Sequence, residues 1–326
     1  MNKPKVFITR KISTSAMENL LNIADVEVWQ SDSPPPREIL HDRFSTCQAV
    51  LTMLTDPIDE EIINHAASDF KVISQMAVGT DNIDVSFATS KRIPVGHTPN
   101  VLTEACADFT WALLTSIARR IPESHQEVQN GVWRPWGPEV LIGADLYGAT
   151  LGIIGLGRIG QAVARRAAGF KMNVLYFSKT RKNELEKTYN IKYTSLENLL
   201  RTADFVSLHV NLTDETQYLL NTDTIKLMKQ SAYLINISRG KVIDSDALTN
   251  AILSKRIAGA ALDVFDPEPV PQNHPLLQQR NVIITPHIAS ASAPVRNKMA
   301  EMAVDNIIAA LNNERLPYCY NPSIYQ

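Results

Sequence analysis

The run Thr150-Leu-Gly-Ile-Ile-Gly-Leu-Gly-Arg-Ile-Gly160 restricts the folds open to this chain more than any other stretch. Thr150 to Ile154 are mostly β-branched or apolar with one glycine, which predicts a buried strand. Gly155-Leu156-Gly157-Arg158-Ile159-Gly160 follows, then a strongly helix-forming segment from Gln161 that closes on Gly169. Strand, G-x-G-x-x-G turn and helix, in that order, open a dinucleotide-binding βαβ unit. In such a unit Gly155 permits the tight turn, Gly157 lets the backbone approach a pyrophosphate, and Gly160 lets helix and strand pack closely. Free N–H groups and the dipole at the helix N-terminus favour the anion. A bare G-x-G-x-x-G is often only a glycine-rich turn; the flanking strand and helix are what give it weight here.

At 326 residues the chain is too long for one small core, and two domains are expected. Hydrophobic residues make up 44% and charged residues 20%, with a formal net charge of −2. That balance offers no electrostatic reason to bind nucleic acid or an anionic membrane. No apolar run approaches the length of a membrane span, and the short one near the N-terminus is ended by Thr9 and Arg10, unlike a signal peptide. Cys47, Cys106 and Cys319 are odd in number and far apart, which fits neither a disulfide framework nor a metal-ligand spacing. No metal is expected, and the expected location is the cytoplasm.

Strand and helix alternate from the start. Strands are predicted at Lys5–Thr9, Val26–Trp29, Ala49–Met53 and Val72–Gln75, with Ile93–Gly96 as a further short one. Helices are expected from the capping-box spacing Ser15-Ala-Met-Glu18, from the Ser33-Pro-Pro-Pro-Arg37 turn through Phe44, and over Asp59–Ala67. This alternation points to a parallel sheet. Its third and fourth strands run into Thr55-Asp-Pro57 and Ala77-Val-Gly-Thr-Asp81, and loops at the carboxyl ends of parallel strands are where such folds hold ligands.

A helix from Thr103 to Arg120 carries apolar residues round most of its circumference. Both sides should therefore be buried, one on its own sheet and the other on a partner subunit. Asn130–Tyr147, with Trp133, Pro135, Trp136, Gly137 and Pro138, has little periodicity and is expected to be a loop whose tryptophans bury in a dimer interface. From Thr150 six strands are predicted, at Thr150–Ile154, Asn173–Phe177, Phe205–His209, Tyr233–Asn236, Ala258–Asp263 and Val282–Thr285. Helices lie between them, including Ser245–Ser254, and a last helix covers Pro294–Leu311. Six strands beginning at one glycine loop is the count of a full doubly wound dinucleotide domain. The fold class is α/β, with two doubly wound parallel-sheet domains.

About twenty residues beyond the glycine loop, an NAD-specific site places an acid against the ribose 2′-hydroxyl. This chain has Ser178-Lys179-Thr180-Arg181 there. No carboxylate is present to repel a 2′-phosphate, while two cations and two hydroxyls are available to hold one. NADPH is therefore expected over NADH, by about a hundredfold if two charge-assisted contacts form, with NADH usable at lower preference. The plainer explanation is that Lys179 and Arg181 are solvated loop charges.

Three segments at the carboxyl ends of predicted strands carry groups capable of chemistry. Ile235-Asn-Ile-Ser-Arg239-Gly240 supplies an arginine on a tight turn, Ala261-Leu-Asp263-Val-Phe-Asp-Pro-Glu268-Pro269 two carboxylates, and Ile284-Thr-Pro-His287-Ile-Ala-Ser290 a histidine. Singly, each has a dull explanation: a surface ion pair, a loop charge, a turn residue. Together at successive strand ends they suit hydride transfer to a 2-keto acid. Arg239 would bind the carboxylate and polarise the carbonyl. His287 would protonate the carbonyl oxygen, and Glu268, paired with it, would favour the imidazolium.

On these residues the chain resembles the D-isomer specific 2-hydroxyacid dehydrogenases, and within them the glyoxylate/hydroxypyruvate reductase branch. The resemblance covers Val78-Gly79-Thr80-Asp81-Asn82-Ile83-Asp84, Val101-Leu-Thr-Glu-Ala105, Gly152–Gln161, Ile237-Ser-Arg-Gly240, Gly259–Pro269 and Thr285-Pro-His-Ile-Ala-Ser290. It implies a Rossmann dinucleotide-binding domain over residues 101–289 and a smaller, flavodoxin-like substrate-binding domain made of 1–100 and 290–326. It implies Arg239, Glu268 and His287 as the catalytic set, and Asp263 on the nicotinamide carboxamide. Cofactor contacts would come from Gly155 to Gly160, Ser178 to Arg181, Asn211 and Ile237. The Val78 and Gly79 amides would take the substrate carboxylate, with Leu54 and Ser290 nearby. A homodimer is implied too, with Trp136 reaching toward the partner's substrate pocket.

The chain departs from the family pattern twice. Asn211-Leu212-Thr213 stands where many members have Pro-Leu-Thr, which frees a backbone N–H near the adenine side, and residues 178–181 lack the acid of NAD-preferring relatives. The expected activity is NADPH-dependent reduction of small 2-keto acids, glyoxylate and hydroxypyruvate first, by hydride transfer with His287 as proton donor. A relative acting on a longer sugar acid such as 2-ketogluconate is the alternative, although Met53, Leu54 and Trp136 would crowd it. A dinucleotide-sensing interaction protein is a third reading, disfavoured because such proteins usually carry extra tails for partners.

Overall fold

In the computed structural model, which describes residues 3–326, short apolar segments alternating with helices build two all-parallel sheets. Each sheet belongs to its own unit. One unit reaches to Leu102 and resumes over Ala291–Gln326; the other is Thr103–Ser290.

The first unit contains β1 (Lys5–Ile8), β2 (Asp25–Val28), β3 (Ala49–Thr52), β4 (Val72–Gln75) and β5 (Val95–Gly96), in the order β2-β1-β3-β4-β5. Such an order is the flavodoxin-like one. β3 and β4 are buried at every residue, as a parallel strand covered on both faces must be. Alternation divides β1 between two cores. Val6 and Ile8 pack with Leu20, Ala303 and Ile307, whereas Phe7 packs with Leu40, Phe44 and Ile62. The covering helices are α1 (Thr14–Ile23), α2 (Arg37–Thr46), α3 (Glu60–Asn64) and α4 (Val85–Ser90), together with the long helix Ala293–Leu311.

Some local expectations fail here. α1 begins at Thr14 behind Ser13, so Ser15 lies inside the first turn and Ser15–Glu18 forms no capping box. The helix expected over Asp59–Ala67 is only α3, with Asp59 as its cap accepting from the Ile62 amide. α4 was not anticipated, although Asp84 caps it by accepting from the Phe87 amide at 2.8 Å.

The second unit holds β6 (Thr150–Ile154), β7 (Asn173–Phe177), β8 (Ile191–Tyr193), β9 (Phe205–Leu208), β10 (Tyr233–Asn236), β11 (Gly259–Leu262) and β12 (Val282–Ile284). Their order is β12-β11-β10-β9-β6-β7-β8. The chain builds outward from β6 through β7 to β8, then returns to β6's other side at β9. Reversal of strand order beside the glycine-loop strand creates the crevice in which doubly wound sheets bind ligands. Seven strands replace the six expected; the extra one, β8, is a three-residue edge strand with only Ile191 buried.

α5 (Thr103–Ala118) packs on α7 (Arg158–Ala167) and on β10 and β11. It was expected to run to Arg120 but stops earlier. The Ala144 amide takes the Ala118 carbonyl at 2.8 Å, and Arg120 turns left-handed, φ 54°, to start a separate helix, α6 (Ile121–Gln129). No helix among the described residues is long and apolar enough to cross a membrane.

Candidate active site

The glycine loop links β6 to α7 as a pyrophosphate cradle requires. Gly155 has φ +96°, and a Cβ there would stand 2.6 Å from the His209 carbonyl oxygen. A Cβ on Gly160 would come within 2.1 Å of the Gly155 carbonyl oxygen, so no other residue lets helix and turn approach this closely. Gly157 is the N-cap of α7 and no side chain caps that end; the space a Cβ would take there is open. Leu156 is buried, Arg158 exposed and Ile159 half-buried. Uncapped amides at a helix N-terminus facing open space fit a dinucleotide's phosphates.

Across the crevice, beyond β9, His209 donates its amide to the Ile154 carbonyl at 2.7 Å, and its Nε2 lies 2.8 Å from the Ser207 hydroxyl. Its Nδ1 is sealed from solvent without a partner. Burial pushes the imidazole pKa down to about 3, so it stays neutral near pH 7. Asn211, two residues on, is exposed, and its carbonyl accepts from the Thr216 hydroxyl at 2.6 Å.

The segment after β7 differs from expectation in one respect that matters. Lys179 Nζ lies 3.0 Å from both Glu215 oxygens. Arg181 is bound bidentately to Glu186, at 2.7 and 2.8 Å, above the Tyr193 ring. Hydrogen bonding to Arg181 holds the Glu186 carboxyl down to about 2 and raises the guanidinium. The Ser178 hydroxyl donates to the Thr180 carbonyl at 2.6 Å. Both cations and one of the two hydroxyls therefore already have partners within the chain, contrary to the picture of idle groups. Tyr176 braces the arrangement, its hydroxyl donating to Glu186 at 2.8 Å and accepting from the Lys182 amide.

Neighbouring strands β10, β11 and β12 bring the three chemical segments to one edge of one sheet. Buried Asn236 organises the first. Its Oδ1 accepts from the Ser238 amide and hydroxyl, at 2.9 and 2.7 Å, and its Nδ2 donates to the Arg239 carbonyl at 2.9 Å. Ile237 within this turn is nearly buried. Arg239 is half-buried, and its Nη1 donates to the Ser238 carbonyl at 2.9 Å. Gly240 lets the turn lie against the second segment, since a Cβ there would be 2.0 Å from the Phe265 carbonyl oxygen.

Glu268 folds back so that Oε1 accepts from the Phe265 amide at 2.9 Å, while Oε2 faces His287 Nδ1 at 2.9 Å. Burial pushes its pKa up, but the His287 hydrogen bond and charge, the Phe265 amide and the Arg239 charge outweigh it, leaving the carboxyl below its usual range. An anionic Glu268 makes Nδ1–H the donor and leaves Nε2 as the nitrogen that can meet a substrate. His287 itself is left-handed, φ 54°, a conformation that must be imposed by its surroundings.

Asp263 imposes it. Its carbonyl accepts the His287 amide at 2.9 Å; Oδ1 accepts from the Thr285 hydroxyl at 2.6 Å and the Ile288 amide at 2.9 Å; Oδ2 accepts from the Ala289 amide at 2.8 Å. Buried to 1% exposure, Asp263 thus anchors the histidine loop and keeps one acceptor site on Oδ2 for another donor. This anchoring, like the Asn236 turn, was not anticipated from the sequence, although an Asn or Asp ending a strand is a known turn signal. Ser290, three residues beyond His287, is half-buried.

The remaining site candidates are on other segments of the chain. Leu54, Val78 and Gly79 sit past the carboxyl ends of β3 and β4 in the first unit. The Val78 and Gly79 amides donate to no other described residue, and Val78 is 37% exposed. Trp136, in the second unit's irregular 130–147 segment, is 91% exposed and makes no hydrogen bond or ring contact with another described residue.

Residues 111–289 match the family model for the D-isomer specific 2-hydroxyacid dehydrogenase, NAD binding domain. The chain is 45% identical over 323 residues to a glyoxylate reductase of Korarchaeum cryptofilum, covering 99% of this chain and 97% of that one. Among solved structures it is similar to the TT0316 protein of Thermus thermophilus, with a TM-score of 0.91, 42% identity and coverage of 97% and 99%. It is also similar to an NADPH-dependent glyoxylate/hydroxypyruvate reductase of Sinorhizobium meliloti solved with NADP and malonate, with a TM-score of 0.83, 29% identity and coverage of 98% and 97%.

Proposed function

This chain belongs to the D-isomer specific 2-hydroxyacid dehydrogenases, and from that premise we propose that it reduces glyoxylate, and hydroxypyruvate beside it, at the expense of NADPH. It is an NAD(P)-dependent enzyme; the keto acid and the phosphorylated cofactor are the proposed refinements. The observation that carries the reading is the 2.9 Å pair between His287 Nδ1 and Glu268 Oε2, on the sheet edge that also presents Arg239.

A bound nicotinamide would supply the hydride. Arg239 holds the substrate carboxylate and draws electron density from the carbonyl. His287 gives the proton at Nε2 to the carbonyl oxygen, and Glu268 stabilises the charged ring before that transfer. In the first unit, the Val78 and Gly79 amides, which donate to no other described residue, are the candidates to take a substrate carboxylate, with Leu54 on the neighbouring loop. Ser290 borders the histidine, and Asp263 would use its remaining acceptor site on a nicotinamide carboxamide. Gly155 to Gly160 would cradle the pyrophosphate, and Ile237 and Asn211 would line the nucleotide.

NADPH is favoured because none of residues 178–181, directly after β7, is an acid. Lys179 and Arg181 must share themselves between that phosphate and Glu215 and Glu186. Exposed ion pairs hold their partners weakly, so sharing is feasible, but the preference should be nearer tenfold than the hundredfold that two idle cations would give. Replacing Ser178 by Asp together with Arg181 by Ala should move the preference toward NADH. A ratio of kcat/KM for the two cofactors that stays put would place the phosphate's recognition elsewhere. A homodimer working in the cytoplasm completes the proposal.

The deciding experiment follows NADPH absorbance while glyoxylate, hydroxypyruvate and 2-ketogluconate are added in turn. Rapid loss with the two small acids is expected; turnover only with the sugar acid, or none at all, would overturn the reading.

A further inference from the structure

Two amide side chains that no step above uses tie the substrate loops of the first unit together. Thr52 and Gln75 are the last residues of β3 and β4 and face each other in register. The Thr52 hydroxyl donates to Gln75 Oε1 at 2.7 Å, and Gln75 Nε2 donates to Asn82 Oδ1 at 2.6 Å. Asn82 Nδ2 in turn donates to the carbonyls of Met53, at 3.1 Å, and Asp56, at 2.7 Å. Gln75 Nε2 also approaches the Gly79 carbonyl at 3.4 Å. The main chain repeats the tie, since the Ile58 amide donates to the Asn82 carbonyl at 2.9 Å.

Every hydrogen-bonding group of the two amides is thus engaged, and Thr52 and Gln75 are wholly buried. An apolar residue could fill the Gln75 position of a covered parallel strand without needing partners. A fully satisfied polar chain there instead fixes where its partners sit. Those partners flank Leu54 on one loop and include Gly79 on the other. On the far side His97 Nδ1 lies 3.2 Å from the Val78 carbonyl, and the Thr98 amide donates to the Ala77 carbonyl at 2.9 Å. The loop between these ties carries the two amides that donate to nothing else described. Backbone donors normally turn toward an acceptor, so a pair without one among the described residues must be held open by its frame.

We propose that Gln75 and Asn82 are positioning residues, whose buried amide chain holds the Val78 and Gly79 N–H groups side by side to receive the substrate's carboxylate. This rests on the reading that these amides bind that carboxylate. The pair touches neither substrate nor cofactor and acts only through the loop. A carboxylate gripped equally in ground and transition states appears in KM rather than kcat, so loosening the frame should raise KM selectively.

The test uses full-length Gln75→Met, which keeps the volume and loses both amide functions, and Asn82→Ser, which shortens a half-buried side chain. With saturating NADPH, KM for glyoxylate should rise about tenfold or more in each, while kcat changes by less than about threefold. The NADPH dissociation constant should not change, since the glycine loop and the 178–181 segment belong to the other unit. A structural defect alone would lower the unfolding midpoint and the active fraction, which reduces apparent kcat and leaves KM where it was. If Gln75→Met does not fold, Asn82→Ser decides. An active wild type with an unchanged KM in the folded variant overturns the positioning role alone. A wild type that turns over no small 2-keto acid removes the premise and the role together.

Discussion

His287 and Glu268 form a pair whose geometry decides which ring nitrogen carries the proton outward. The Glu268 carboxyl is depressed, so its charged form is favoured above the ordinary carboxylate range, and that contribution fades as pH falls through its folded value. Near neutrality the pair is intact. His287→Ala should therefore lower kcat by at least about a hundredfold, and Glu268→Gln by about tenfold or more. NADPH affinity, measured by fluorescence titration, should stay within about twofold in both variants, because neither side chain lies on the glycine loop. A histidine variant with a wild-type rate would exclude it as proton donor. Which residues meet at this edge could be read from their positions just past three predicted strands. How they are aimed could not be, because that depends on Asn236, which shows in the sequence only as a polar residue at a strand end, and on Asp263, whose expected role was toward the cofactor and not as the anchor of the histidine loop.

Elements were read best where consecutive buried residues fill a short strand, as in β4, β6 and β10, whose limits agree with those expected from the sequence; β7, buried at alternate residues, agrees too. They were read worst at ends and edges. The end of α5 lies earlier than expected for a local reason: Pro122 has no N–H for the Ala118 carbonyl, which the Ala144 amide takes instead. β8 has too few buried residues to leave a periodic trace. The joint between the β10 and β11 loops gives an element-scale prediction. A methyl on Gly240 would overlap the Phe265 carbonyl carbon at 2.1 Å and the Asp266 nitrogen at 2.6 Å, both backbone atoms that cannot rotate away. Gly240→Ala should cost on the order of 2 kcal/mol and, by displacing Arg239, lower kcat/KM by about a hundredfold. Thermal unfolding and steady-state rates would check the two effects separately.

The neutral His209 between β9 and the glycine loop adds a pH-dependent term. Its folded pKa, about 3, lies below the unfolded value of 6.5, so the unfolded chain binds the extra proton between those limits. Its stabilising contribution is complete above pH 6.5 and declines as pH falls toward 3, by about 2 kcal/mol on reaching pH 5. Urea unfolding from pH 7 to pH 5 should show that slope in the wild type and a shallower one in His209→Asn. Parallel slopes would mean that the ring is already solvated in the folded protein.

At the scale of the whole molecule, the segment from Asn130 to Tyr147 is the part a single chain leaves unfinished. Trp133 is 80% exposed, Trp136 91%, Ile142 61% and Tyr147 68%, in a stretch without helix or strand. Isolated apolar residues on a surface need no explanation, but Trp133, Val132, Val140 and Ile142, all exposed within one short segment, are the kind of composition that marks a protein–protein contact. Large aromatic anchors of this sort dominate the energetics of such contacts. A second copy of the chain is the partner that is always present at matching concentration, and closed two-fold pairs are the commonest assembly. Light scattering should accordingly give twice 36.2 kDa for the wild type. Trp133→Glu combined with Ile142→Glu should shift the mass toward a single chain, because a charge in a desolvated contact is costly to bury. If Trp136 reaches a partner's substrate rather than anchoring the contact, Trp136→Ala should leave the mass unchanged while KM for glyoxylate rises about tenfold. Monomeric wild-type protein with full activity would assign these tryptophans some other surface.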